Sequence, residues 1–240
     1  MARRERFQTK LEIIKLASEM FLTQGYTDAS TKKLAEELDI SLGNLNYHFP
    51  TKEHLLAELT TRLCDYHLIV METEIDEGRT SLLAYLLELT SMMAICEENE
   101  VAKDLYTSVY RHPMTLKLIR ESDTKKIKSI FAEYCPGWED EDFALTENAV
   151  SGIEYASLMK ENAEDIPLDR RVTKTLRVVM KAYNVPEEIR EQKIQKVLRL
   201  DYRRIGRRFI AGFANYVEEI NEKALKEAKK AKQGYPCLVG

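Results

Sequence analysis

The stretch TKKLAEELDISLGNLNYHF, residues 31–49, decides how the first quarter of the chain folds. Ser30 or Thr31 can cap a short helix from Lys32 to about Leu38, with Leu34, Ala35 and Leu38 turned inward. Two short helices joined by a tight corner cross steeply only if the first offers a small side chain at the crossing, and Ala35 is that residue. Four positions on, the chain must turn sharply, and Asp39 is one of the few non-glycine types that tolerate a left-handed backbone. Ile40 plugs the core below the corner, and Ser41 caps a third helix ending near His48. Leu45 anchors that helix from its buried face, and Phe49 packs beneath the first helix. This is the spacing of a helix-turn-helix.

The third helix leaves Leu42, Gly43, Asn44, Asn46, Tyr47 and His48 outside, without one acidic residue among them. Gly43 allows close backbone approach to a groove. Asn44 and Asn46 can bond base edges, Tyr47 and His48 can reach bases or phosphates, and the helix N-terminus favours an anion. The alternative makes Tyr47 and His48 core side chains like Phe49, and their exposure decides between the two readings.

Working outward, Leu11, Ile14, Ala17 and Phe21 form one apolar stripe on a first helix from about Phe7 to Gln24, which Gly25 closes. Pro50 forbids continuation of the third helix, and Thr51 caps a long fourth helix from Lys52 toward Val70. Further helices are predicted at about 80–97, 100–110, 114–120, 123–134, 140–162, 169–183 and 187–231, the last with a break near Leu200. No segment alternates with a two-residue period, and nine Gly and six Pro among 240 residues leave few breakers. The fold class is therefore all-α.

A hydrophobic fraction of 44% beside a charged fraction of 32% is that of a globular chain. The charged start, Met1 to Phe7, has no apolar run after it, so no signal peptide is expected. The apolar stretch from Leu82 to Cys96 carries Glu88 and is too short for a bilayer, so a buried helix is expected and no membrane partner. Cys64, Cys96, Cys135 and Cys237 are scattered, which fits reduced thiols in a cytoplasmic protein. The net charge of −4 conceals +1 over residues 1–52, −14 over 53–170 and +9 over 171–240. An acidic middle repels DNA, so contact must come from a local patch such as Arg3, Arg4, Arg6 and Lys10.

Residues 10–59 resemble the DNA-binding domain of the TetR family of bacterial transcriptional regulators. The likeness is clearest in SLGNLNYHFPTKEHLL, Ser41 to Leu56, and extends upstream through MFLTQGYTDASTKKLAEEL, Met20 to Leu38. It covers several elements in register, which is far more specific than helix-turn-helix spacing alone. The resemblance implies that Thr31 and Lys32 meet the DNA backbone or a flanking base. It implies that Leu42, Gly43, Asn44, Tyr47 and His48 enter the major groove, and that Lys52 binds a phosphate. One position departs: Asn46 stands where the family usually has Tyr, so a phosphate- or sugar-packing aromatic is missing. Either Asn46 reads a base instead or Tyr47 covers part of the loss.

The resemblance further implies two domains, residues 1–52 for DNA binding and 53–240 for effector binding and dimerisation. Met92, Met93, Cys96, Tyr106, Tyr110, Phe131, Trp138, Tyr155 and Met159 are soft or aromatic residues able to line a cavity for a partly apolar effector, or simply to fill a core. Phe209, Gly212, Phe213, Tyr216 and Val217 form a stripe on the last helix that could pair across a two-fold axis with a helix bearing Val150, Ile153 and Ser157. The rival for that stripe is packing within one chain. Arg203, Arg204, Arg207 and Arg208 are read as a face paired with the acidic middle region rather than an anion site. Cys64 and His67 share a metal-compatible spacing but lack an obvious third ligand, and no catalytic motif appears, so no metal, cofactor or enzyme activity is expected.

The resemblance thus implies a ligand-responsive homodimeric repressor that binds a double-stranded operator and is released by a small effector. Two rivals are kept: a DNA-binding protein of the same fold without an effector, and a helical enzyme sharing only the N-terminal unit.

Overall fold

Helix follows helix in a computed structural model that describes residues 3–75, 81–159 and 165–233. The described helices are α1 (Arg3–Gln24), α2 (Thr31–Glu37), α3 (Leu42–His48), α4 (Lys52–Glu74), α5 (Leu82–Glu98), α6 (Glu100–Arg111), α7 (Pro113–Phe131), α8 (Asp140–Met159), α9 (Leu168–Ala182), α10 (Glu187–Arg199) and α11 (Tyr202–Gln233). The chain is all-α, and no described helix is long and apolar enough to cross a membrane. Arg3 and Arg4 of the basic start, the turn at Glu77-Gly78, Cys237 and the end from Gly234 fall where side chains or backbone lie outside the described residues.

Local chemistry explains the N-terminal unit. Gly25 closes α1 at φ +83°, and Asp39 turns α2 into α3 at φ +51°. Ser30, Ser41 and Thr51 each accept a backbone N–H with the side-chain oxygen, capping α2, α3 and α4 in turn. Below the corner Leu34, Ala35, Leu45 and Phe49 join Ile13, Ile14, Ala17 and Phe21 in one core.

The body is organised around α5, which packs against α4, α6, α8, α9, α10 and α11. Such a helix must be apolar on every side, and nearly all of Leu82 to Cys96 is buried. α11 lies along α5, α4 and α1. Its buried Asn221 donates to the Leu11 carbonyl at 3.0 Å and accepts from Arg62 Nη1 at 2.8 Å, tying three helices together.

One boundary differs from the expected ones. Residues 114–120 and 123–134 do not form two helices, because α7 runs unbroken from Pro113 to Phe131 and ends in a 3-10 turn. No break forms at 121–122: the Asp123 side chain lines the internal cavity and Thr124 Oγ1 donates back to the Arg120 carbonyl at 2.7 Å. The long final segment does break at Leu200, where Asp201 Oδ1 accepts the Arg204 N–H at 3.0 Å and starts α11 afresh.

The stripe expected to form a dimer interface is corrected in part. Val150, Phe209, Phe213 and Val217 are buried within a single chain, so they are not free to face a partner. Gly212 does permit close approach, but to Tyr66 of the same chain, whose hydroxyl would lie 2.1 Å from an added Cβ. Tyr216 stacks on that same Tyr66 ring at 4.8 Å. Ile153 and Ser157 keep partial exposure on α8. The arginine cluster pairs as expected with acids of the middle region: Arg204 and Arg208 with Glu74, Arg203 and Arg207 with Glu98.

Gly206 marks where α11 presses closest on α5, since a Cβ there would meet Ile95 Cγ1 at 2.9 Å and the Ser91 carbonyl at 3.1 Å. Gly206→Ala is expected to lower stability by about 1–3 kcal/mol through overpacking, read as a lower urea midpoint with an unchanged slope.

Candidate DNA-recognition face and internal cavity

The corner at Asp39 fixes which side of α3 faces out. With Leu45 and Phe49 drawn into the core, Leu42 is 43% exposed and Tyr47 65% exposed, and Gly43 and Asn46 are exposed as well. Asn44 and His48 are half-buried at the edges of this face. Arg6 of α1 reaches across, donating from Nη1 to the Tyr47 hydroxyl at 3.2 Å, and the Tyr47 ring stands edge-on to His48 at 5.2 Å. Burial, then Lys10 and Arg6, push the His48 pKa below its ordinary value, so the imidazole is neutral at pH 7. Its Nε2 is buried without a hydrogen-bond partner among the described residues.

The flanking positions divide. Thr31 is half-buried at the start of α2, and Lys32 is exposed, with only a loose 3.8 Å pairing to Glu36. Lys52 is less free than expected: its ammonium donates to the Thr27 carbonyl at 3.1 Å and sits 4.4 Å over the Tyr26 ring. Burial lowers its pKa. An ammonium has three donors, so these contacts still leave capacity for a phosphate.

The head is fastened to the body at the corner between α6 and α7. Asp104 on α6 accepts the Thr27 N–H at 2.7 Å and the Thr27 hydroxyl at 2.6 Å. Glu53 on α4 accepts the Met114 N–H at the start of α7 at 3.0 Å, and His112 stands edge-on to Tyr26 at 5.1 Å. Nothing local in the sequence marks these pairs.

Behind that corner α4, α5, α6, α7 and α8 enclose a cavity of about 50 Å³. Its walls are apolar and aromatic, from Leu63, Leu89 and Met92 to Tyr85, Tyr106 and Tyr110, while Glu88, Asp123, Lys126 and Glu154 supply charge. Cys64 and His67 line it too. Burial pushes the Cys64 thiol far up and holds His67 at about 4, hence neutral at pH 7. His67 Nε2 bonds the Tyr106 hydroxyl at 2.8 Å, and Nδ1 is buried without a partner among the described residues.

Of the residues expected to line a cavity, Met92, Tyr106 and Tyr110 do so. Met93, Cys96, Phe131, Tyr155 and Met159 are not in its wall. On a helix successive side chains diverge by about 100°, so Met93 turns into another packed face of α5 when Met92 faces the cavity, while Cys96 shares the Met92 face one turn beyond it. Phe131 stacks on Tyr183 at 4.2 Å, Trp138 packs edge-on against Phe143, and Tyr155 lies behind Tyr110 at 6.1 Å.

The larger surprise is acidic. Oxygens of Asp123, Glu147 and Glu154 lie within 4.8 Å of one another inside the body, an arrangement of the kind that can hold a cation. Glu154 accepts from the Tyr85 hydroxyl at 2.7 Å and from Tyr110 at 3.2 Å, and Glu147 accepts from Tyr183 at 2.8 Å. Glu88 is neutralised by an ion pair with Lys126. Burial raises all three clustered carboxyl pKa values; Glu154 adds to the rise at Glu147, and Asp123 to that at Glu154.

Residues 13–59 match the family described as bacterial regulatory proteins, tetR family. Over 50 residues the chain is 40% identical to the HTH-type transcriptional regulator QacR of Staphylococcus aureus. Over its N-terminal quarter the chain is similar to the tetR family of bacterial regulatory proteins. The match to QacR spans 21% of this chain and 27% of the relative, so the chain aligns with little more than a quarter of that protein's length. Among solved structures, the tetR regulator TylP of Streptomyces fradiae is 18% identical with a TM-score of 0.46, covering 82% of this chain and 94% of its own. The TetR-family protein CprB of S. coelicolor A3(2) is 19% identical with a TM-score of 0.41, covering 85% and 98%.

The family match falls on the head of the chain, and the cavity belongs to the part outside it. Reading residues by softness and aromaticity missed Glu88, Asp123, Lys126, Glu147 and Glu154. The available signal was that Glu147 and Glu154 fall seven residues apart in an otherwise uncharged run from Phe143 to Met159, one face of one helix.

Carboxyls with raised pKa bind more protons folded than unfolded. Their contribution to stability is present below the ordinary carboxylate range, near pH 4, and is lost as pH rises through the raised folded values. The melting temperature of Glu147→Gln, which cannot ionise, is therefore expected to gain on wild type as pH is raised from about 5 to about 8. Parallel melting curves for the two proteins across that range would refute the shift.

Proposed function

We propose that this protein is a tetR-family DNA-binding transcriptional repressor, working as a homodimer in the cytoplasm and released from its operator by a small molecule held in the body. Residues 1–52 are the DNA-binding domain, residues 53–240 are the effector-binding and dimerisation domain, and the protein is a regulator rather than an enzyme. The observation that carries the reading is the outward face of α3, free of acids, with Tyr47 65% exposed and Arg6 beside it. Leu42, Gly43, Asn44, Asn46, Tyr47 and His48 enter the major groove. Thr31, Lys32 and Lys52 contact the flanking backbone, Lys52 while keeping its bond to Thr27.

Dimerisation is assigned to α8. From Phe143 to Met159 its only charged residues, Glu147 and Glu154, are buried, so its outer face is neutral. Leu145 is 61% exposed there, Ala149, Gly152 and Ala156 are exposed along the same side, and an added Cβ at Gly152 meets nothing within 4 Å. An uncharged helical face of this length suits packing against its own copy. Two heads would then reach half-sites about one DNA turn, or a multiple of it, apart.

Release needs the effector to prefer a state that misplaces the heads. The helices that wall the cavity, α6 and α7, are those whose shared corner grips Thr27 and Glu53, so a shift around the cavity reaches the head directly.

Two experiments test this reading. An operator is selected from random duplexes by the purified protein, and affinity is measured by anisotropy as salt is raised. Binding should weaken steeply with salt, and Tyr47→Ala should cost about 1–3 kcal/mol; an unchanged affinity would remove α3 from the groove. Gly152→Arg should turn the dimer into a monomer by light scattering, and a persistent dimer would move the interface off α8.

A further inference from the structure

The charges around the cavity do not balance. Of the four carboxylates, Glu88 is taken by Lys126. Glu147 and Glu154 receive only neutral tyrosine hydroxyls, and His67 stays uncharged. Asp123 makes no hydrogen bond or ion pair with a described residue, yet its half-buried side chain lines the cavity. Enclosed carboxylates left ionised without a cation cost several kcal/mol each, so the trio holds either protons or a positive guest. His67 Nδ1, also buried without a partner among the described residues, belongs to the same wall.

The spacing narrows the guest. Three oxygens no more than 4.8 Å apart surround a point at most about 2.8 Å from each, the length of a charge-assisted N–H···O bond. A primary ammonium has three donors to meet three carboxylates. The remaining wall, Leu63, Leu89, Met92 and the rings of Tyr106 and Tyr110, suits a hydrocarbon chain carrying that head.

We propose that Asp123, Glu147 and Glu154 form a receptor for the protonated head of a primary amine whose apolar body lies against the Tyr106 and Tyr110 wall. The inference rests on the cavity being the effector site and gives that site its ligand class. Because the trio carries protons before the guest arrives, the amine displaces them and binding strengthens as pH rises toward the amine's own pKa.

The test titrates the full-length protein by calorimetry with n-alkylamines from ethyl to octyl, with the matching alcohols, and with Mn²⁺ alone. Amines should bind where alcohols do not, with proton release seen as a heat that depends on buffer ionisation. Asp123→Asn should weaken amine binding about tenfold or more while leaving the melting temperature equal or higher, because it neutralises a carboxylate that bonds nothing. Equal binding of amine and alcohol, no amine binding at all, wild-type amine affinity in Asp123→Asn, or Mn²⁺ binding in place of amines would each overturn the proposal. Operator affinity is measured separately: an amine that binds but leaves the operator bound keeps the receptor and refutes its role in release.

Discussion

The grip of Asp104 on Thr27 is the contact on which the rest of the structure depends. One carboxylate accepts both the backbone N–H and the hydroxyl of a residue 77 positions earlier, in the turn that leads from α1 to the recognition unit. Glu53 returns the grip by capping α7 from the head side of α4. A helix-turn-helix of about fifty residues has a small core of its own, and these bonds determine its attitude toward the body. Both bonds lie at an exposed turn, so water can satisfy the groups that replacing either partner frees, and what is lost is the fixed attitude of the head.

The same corner gives the protein a lever. α6 and α7 leave it as two helices whose inner sides carry Tyr106, Tyr110, Asp123 and Lys126, all in the cavity wall. Packed helices move by small discrete shifts rather than by bending freely, so a guest that draws carboxylates together or pushes rings apart must displace one helix against another. The polar lining makes that displacement sensitive to charge. A hydrocarbon core would respond to size alone, while a cavity lined by Asp123 and Glu154, with Glu147 beside them, would under the proposal above respond also to positive charge.

Local physics was legible in the sequence, and long-range pairing was not. Ala35, Asp39, Ser41 and Leu45 predicted the corner because each requirement is satisfied within ten residues, and the structure puts Asp39 at φ +51° as the spacing demanded. The break at Leu200 and the buried character of α5 were equally readable from short windows. Phe209, Phe213 and Val217 were ambiguous because an apolar stripe on a helix records that the face is covered but not by what. Intramolecular packing on α4 and α5 covers it here. The break expected between 120 and 123 failed for a different reason: a short polar run there looks like a helix end unless the fold supplies an interior for the Asp123 carboxylate. Lys52 shows the intermediate case, a residue singled out for a phosphate whose side chain is engaged with Thr27 and Tyr26.

The central claim is that the α6–α7 corner couples the groove-facing helix to the body. Amide hydrogen exchange at Thr27 reads the Asp104 bond itself, in the protein alone and in complex with a selected operator. The account predicts that operator binding changes the exchange rate at Thr27 and that Asp104→Ala abolishes the change. An unaltered Thr27 rate, while the amides of α3 become protected by DNA, would contradict it.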